Sequence, residues 1–216
     1  MFTGFNLRLD RIASIFSDEQ DFKRLEEVGQ NHLEAQKAIL AKELEAYVVD
    51  DVIDGTKIQN EWFPQIKANI FISHSGDDND LANALAGWIH ETFGLKCFVD
   101  ASVWGYSDKL LEMMNTKFSN KRDDGNGGYL YSHKSCNKVS AHVNMMLSVA
   151  LQKMIDKVEA VILLNTDNSI EVSSGKAMNS TYSPWIYAEI MCTEIVRRKP
   201  LWVYRDDEQL YHSNSG

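Results

Sequence analysis

Trp185 and Glu189 stand four residues apart in the segment TYSPWIYAEIMCTEIVRRKP, Thr181 to Pro200, so on a helix they lie one turn apart. A carboxylate beside an indole can stabilise a developing sugar cation, or orient a ribose hydroxyl, while the indole stacks on a flat ring. Both parts suit cleavage of an N-glycosidic bond. Ser183 is a natural N-cap and Pro184 a natural first helical residue, so the helix is expected to begin immediately before Trp185. On the helical wheel Glu189, Thr193 and Arg197 form a polar seam, flanked by Trp185, Cys192 and Val196. Glu189 is thereby placed at the boundary of the apolar face, and on the helix alone a half-exposed glutamate that only solvates the surface accounts for it equally well.

The segments around this helix alternate between strand and helix. ANIFISHS (Ala68 to Ser75) is a short β-branched and aromatic run that ends in small polar residues. The next segment, DDNDLANALAGWIHETFG, has acidic residues in its first turn, Leu81, Leu85, Trp88 and Ile89 on one face, and Gly94 at its end, which is a helix signature. LKCFVD (Leu95 to Asp100) reads as a second strand, EAVILLN (Glu159 to Asn165) as a third and LWVYR (Leu201 to Arg205) as a fourth. A helix at SDKLLEMMNTKFS, capped by Ser107, follows the second strand. Residues 119–140, rich in Gly, Asn and Ser, read as an insertion loop, and a helix capped by Ser140 follows it. Such nearly continuous apolar strands imply a parallel sheet covered on both faces. Ligands of open parallel sheets bind beyond the carboxyl ends of the strands. The residues to inspect are therefore Ser73 to Gly76, Asp100 to Gly105, Asn165 to Ser169 and the loop after Arg205.

Upstream, Ser17 to about Ile53 reads as one long helix, opened by a capping box of Ser17 and Gln20 and stopped by Gly55. Phe22, Leu25, Gly29, Leu33, Gln36, Leu40, Leu44 and Tyr47 make a narrow stripe along it. That stripe fits either a seam for a partner helix or a helix lying on its own domain. The expected division is an N-terminal helical extension, residues 1–66, and an α/β domain, residues 67–216.

FISHS with its following acidic residues, a second strand ending in Asp100, the tryptophan-bearing loop ASVWGY, EAVILLNT and the W-x-x-x-E pair of SPWIYAEI together resemble the Toll/interleukin-1 receptor (TIR) domain family, particularly its bacterial members. The resemblance covers about Lys67 to Arg205. It implies a flavodoxin-like fold and an NAD⁺ glycohydrolase, with Glu189 catalytic and Trp185 packing on a ring. Ser73, His74, Ser75, Asp100, Trp104 and Asn165 are implied substrate contacts, although Ser73 and Ser75 also suit turn capping and Trp104 also suits plain packing. Family members that bind phosphates often carry basic residues after the first strand; this chain has SGDD there, so its phosphate contacts must come from backbone N–H groups or from elsewhere.

No G-x-G-x-x-G or G-x-x-x-x-G-K-[ST] occurs, so NAD⁺ is expected as substrate and no cofactor is expected. No histidine pair has metal-ligand spacing, and His142 is better read as a solvated or capping residue than as part of the site, so no metal is expected. The resemblance further implies homo-oligomerisation through TIR surfaces and the N-terminal helix. It also implies a role in antiphage defence of the Thoeris kind, with a downstream effector that senses the product. The competing class is a non-catalytic TIR interaction module or a mimic of host signalling.

Composition narrows the remaining choices. A formal charge of −9, from 22 basic and 31 acidic residues, disfavours broad contact with nucleic-acid phosphates. Cys97, Cys136 and Cys192 form no C-x-x-C pair, which suits reduced thiols in a cytoplasmic protein. Without a leader-like or membrane-spanning apolar run, no membrane partner is expected.

Overall fold

The computed structural model describes residues 1–8, 15–35, 48–49, 52–99, 107–169, 171–172, 179–181 and 183–204. Four strands, β1 (Thr3–Leu7), β2 (Ile70–Ser73), β3 (Cys97–Phe98) and β4 (Ala160–Leu164), form one parallel sheet in the order β1-β4-β2-β3. Six α-helices occur among the described residues: α1 (Glu19–Glu34), α2 (Gly55–Trp62), α3 (Asn79–Phe93), α4 (Ser107–Phe118), α5 (His133–Lys157) and α6 (Pro184–Ile195). The fold is therefore α/β, a parallel sheet flanked by helices. The chain divides into two compact units. Residues 1–37, 66–103 and 152–216 make the first, which holds the sheet, and residues 38–65 and 104–151 make the second.

The sheet's edge differs from expectation. LWVYR does not form a fourth strand; Leu201–Val203 is a turn of 3₁₀ helix, and Arg205 lies outside the described residues. The place beside β4 is taken by β1, paired in register from Thr3 opposite Ala160 to Leu7 opposite Leu164. A strand needs a ladder partner for its N–H and C=O groups, and β1 already supplies that partner to β4. The second strand is also shorter than LKCFVD suggests, because only Cys97 and Phe98 pair with β2.

Nor is Ser17 to Ile53 one helix. α1 ends at Glu34, residues 36–47 lie outside the described residues, and Val48–Val49 pairs antiparallel with Val52–Ile53. The N-cap is Asp18, one residue later than expected: its carboxylate accepts from the Asp21 N–H at 2.8 Å, and Asp21 in turn accepts from the Ser17 N–H at 3.1 Å. The first half of the stripe is spent inside the chain. Phe22, Leu25, Gly29 and Leu33 are buried, and α1 packs on α3. The backbones meet at two glycines: a Cβ on Gly29 would sit 1.9 Å from the Asn83 carbonyl oxygen, and one on Gly87 would sit 2.0 Å from that of Leu25. Gln36, Leu40, Leu44 and Tyr47 lie outside the described residues.

Across the same pair of helices the His32 and His90 rings stack, centroids 4.1 Å apart and 23° from parallel. Burial, the neighbouring His90 and Lys96 hold the His32 imidazole below its ordinary value. The unfolded chain therefore takes up a proton at His32 more readily than the folded one, so this contribution is intact above about pH 6.5 and is lost as pH falls through the folded value. Urea midpoints measured between pH 7.5 and 5 are expected to fall more steeply for the native chain than for His32→Gln. Parallel curves would show that His32 contributes nothing to acid sensitivity.

The second unit corrects two further expectations. Arg122–Asp123 and Tyr129–Leu130 form a hairpin within the stretch read as a loop, with Gly125 and Gly127 at φ of 78° and 85° in its tip. α5 starts at His133 and not at Ser140, and His142 is exposed on it. α2 is held to the first part of α5 through Gln59, whose amide donates to the Met146 carbonyl at 2.8 Å. No helix among the described residues is long and apolar enough to cross a membrane.

Candidate active site

α6 begins as its sequence demands. The Ser183 hydroxyl caps it by accepting from the Ile186 N–H at 3.3 Å, and Pro184 is the first helical residue. Its buried positions are Ile186, Glu189 and Cys192, one every three residues. Glu189 is thus no boundary residue. It sits in the middle of the buried stripe, 4% exposed, and accepts a hydrogen bond of 2.5 Å from the Ser73 hydroxyl at the carboxyl end of β2. Ser73 is itself only 2% exposed. A wheel cannot show this, because it ranks faces by side-chain polarity and the hydroxyl that compensates the carboxylate comes from 116 residues away in sequence.

The pair forms part of the wall of a cleft of about 840 Å³. Its floor is one face of the sheet. Asn6, Leu163 and Ser73 stand opposite one another across β1, β4 and β2, and Gly4 stands opposite Val161 two residues earlier; residues in one such row share a face. The roof is α6 and its exit, from Tyr187 through Thr193 and Glu194 to Arg198. The cleft therefore starts at the carboxyl end of the sheet, where a ligand was expected, and continues beneath α6 along β1. Gly4 keeps its floor low.

The other expected site residues fall into separate places. His74 is buried beyond Ser73 and does not reach the cleft wall. Ser75 acts through its backbone, its carbonyl accepting from the Asp78 N–H at 2.9 Å. Asn165 is half-buried, and its N–H continues the β1–β4 ladder by donating to the Leu7 carbonyl at 2.8 Å. Trp185 is half-buried and is not part of the wall; the aromatic residues that are, Phe5 and Tyr187, are 56% and 60% exposed, and Tyr187 is the one on α6. Asp100 and Trp104 lie outside the described residues.

The loops at the strand ends are fastened by a residue that sequence reading passed over. Asp78, 7% exposed, accepts from the Thr166 hydroxyl at 2.5 Å and from the Asn168 amide at 2.8 Å, while the Ser169 hydroxyl donates to the Leu164 carbonyl at 2.7 Å. This ties the turn after β2 to the turn after β4 and spends the carboxylate of SGDD on structure. Asn6 and Arg198 were also missed. Asn6 belongs to a strand that carries no clear alternation in sequence, and Arg198 follows the helix by a distance the wheel does not address.

Two thiols can be set aside as nucleophiles. Burial pushes Cys97 up to about 12, and burial, with Asp156 and Glu189 nearby, raises Cys192. Both behave as small apolar residues. Among the described residues no group of His, Cys, Asp and Glu could hold a metal ion. Comparison with protein-family models, with characterised proteins and with solved structures finds no match.

The Ser73 hydroxyl is a positioning group for Glu189. Hydrogen bonds to charged groups are worth about 1.5–3 kcal/mol, so Ser73→Ala is expected to slow any chemistry that depends on the carboxylate by one to two orders of magnitude. Ser73→Thr, which keeps the hydroxyl and can turn its methyl toward the cleft, should recover most of the rate. Equal loss in both variants would mean that packing, and not the hydrogen bond, was disturbed.

Proposed function

We propose that the protein is a TIR-type NAD⁺ glycohydrolase whose site is the cleft beneath α6. The observation that carries this reading is a carboxylate buried on the wall of an 840 Å³ cleft, where it accepts a short hydrogen bond from Ser73. Burying a charged group costs stability even when it is hydrogen-bonded. An apolar residue at position 189 would continue the stripe of Ile186 and Cys192 at less cost, so a chemical task accounts for the glutamate better than packing does. The W-x-x-x-E motif in which it stands is the family's catalytic position, and the cleft falls within the volume range of small-molecule sites.

In this mechanism the nicotinamide-bearing ribose lies against Glu189. The bond from ribose C1′ to the pyridinium nitrogen breaks and its electron pair goes to that nitrogen, which leaves as neutral nicotinamide. Positive charge grows on the ribose, and the ionised carboxylate stabilises it or holds its hydroxyls. Water then adds at C1′ and loses a proton to give ADP-ribose, or an adenine nitrogen adds to give a cyclic product. No cofactor is consumed. Tyr187 offers the exposed aromatic face that the sequence had assigned to Trp185, placed to stack on a flat ring.

Assembly through TIR surfaces and antiphage signalling through the product follow from the family resemblance and form part of the same reading, as does a cytoplasmic location. The test is nicotinamide release from NAD⁺ by the purified full chain over a rising protein concentration, with the second product identified by mass. Release of nicotinamide with an equimolar ADP-ribose-type product supports the reading. Intact NAD⁺ at the highest concentration, with the protein folded, contradicts it and favours an interaction module.

A further inference from the structure

We infer that Arg198 receives the pyrophosphate of the dinucleotide and so fixes the direction in which NAD⁺ lies along the cleft. This rests on the function proposed above and adds to it the phosphate contact that the first turn lacks. That turn, SGDD, carries no basic residue, and Asp78 within it is committed to Thr166 and Asn168. Phosphate binding at that end would face acidic groups.

The other end of the cleft has the opposite character. α6 runs against the strands: Glu189, in its middle, meets the last residue of β2, whereas beyond its exit the Lys199 N–H donates to the Met1 carbonyl at 3.1 Å, just ahead of β1. From the row of Asn6 and Ser73 to the level of Met1 is five residue steps, roughly 16 Å at about 3.3 Å per residue. Arg198 is exposed, lines the cleft and has no hydrogen-bond or ion-pair partner among the described residues. Its neighbour Lys199 is already used, donating to the Asp156 carboxylate at 2.5 Å.

The charged side chains of the cleft wall are Glu189, Glu194 and Arg198, so the guanidinium is the one cationic side chain lining it among the described residues; the α-ammonium of Met1, which also lines it, is used in donating to the Asp156 carbonyl at 3.0 Å. A planar guanidinium matches two phosphate oxygens at once. With the ribose that becomes cationic at Glu189 and the anionic pyrophosphate toward Arg198, each charged part of NAD⁺ meets its opposite. The reversed orientation would set the pyrophosphate against the buried carboxylate.

The experiment compares NAD⁺ with nicotinamide riboside, which has the same scissile bond and no phosphate, as substrates of the full chain and of Arg198→Gln. Losing a charge-assisted pair is expected to raise KM for NAD⁺ about 10- to 100-fold with kcat nearly unchanged, and to leave kcat/KM for the riboside as it was. KM for NAD⁺ should also lose most of its salt dependence in the variant, and Arg198→Lys should recover part of the affinity. An unchanged KM for NAD⁺ overturns the inference while leaving the glycohydrolase reading intact, and so does an equal loss with both substrates. If the native chain cleaves neither substrate, the glycohydrolase reading fails, and equilibrium binding of ADP-ribose decides the phosphate seat separately. ADP-ribose bound by the native chain and lost in Arg198→Gln supports that seat; no binding, or equal binding, overturns it.

Discussion

Glu189→Gln is expected to reduce nicotinamide release by about 10²–10³-fold in kcat, the scale of removing one preorganised charge-stabilising group, with little change in KM. The amide has the shape of the carboxylate and its carbonyl oxygen can still accept from Ser73, so the contact at the end of β2 survives. What disappears is the negative charge at the place where the ribose becomes positive. Stability should hold or rise, because a buried charge has been replaced by a neutral group. The pairing of lost rate with retained melting temperature separates a catalytic carboxylate from a structural one. A variant that melts early, or one that keeps full activity, removes Glu189 from the chemistry.

The largest effect on folding is expected at the crossing of α1 and α3. Gly87→Ala places a methyl group where the Leu25 carbonyl oxygen is 2.0 Å away and the Gly29 backbone nitrogen 2.9 Å away. These neighbours are backbone atoms of a packed helix, so no side chain can rotate to make room. The helices must separate, which opens gaps beside Leu25, Leu33 and Leu85, all nearly fully buried. Overpacking of this kind costs about 3 kcal/mol or somewhat more, or roughly 6–12 °C in Tm for a chain of this size. Calorimetry of Gly87→Ala beside an exposed control, Gly76→Ala, where a Cβ meets nothing within 4 Å, measures it. Equal melting temperatures would mean that the helices do not pack through their glycines.

Legibility from sequence followed the range of the forces involved. Local signals read well: Ser183 and Pro184 start α6, Gly94 ends α3 in the left-handed conformation at φ 67°, and the spacing of Phe22, Leu25, Gly29 and Leu33 marks the inner face of α1. Non-local pairings did not. Thr3–Leu7 has five residues and no strong alternation, and only β4, more than 150 residues later, makes it a strand. Once that place is filled, the more strand-like LWVYR has no ladder to join. The same holds within the site. The W-x-x-x-E motif pointed to Glu189, but its burial depends on Ser73, and the cleft depends on Gly4 and Asn6 from the strand that was missed. Trp185, expected on the substrate, stands outside the wall because the helix presents Tyr187 there instead.

The most direct measurement of the central claim is a crystal structure of the Glu189→Gln protein with intact NAD⁺ bound, since the impaired variant should hold its substrate without consuming it. The account predicts the nicotinamide-bearing ribose against residue 189 between Ser73 and Tyr187, with the chain of phosphates running beneath α6 toward Arg198. A dinucleotide bound elsewhere on the molecule, or a cleft that stays empty at saturating NAD⁺, would contradict it.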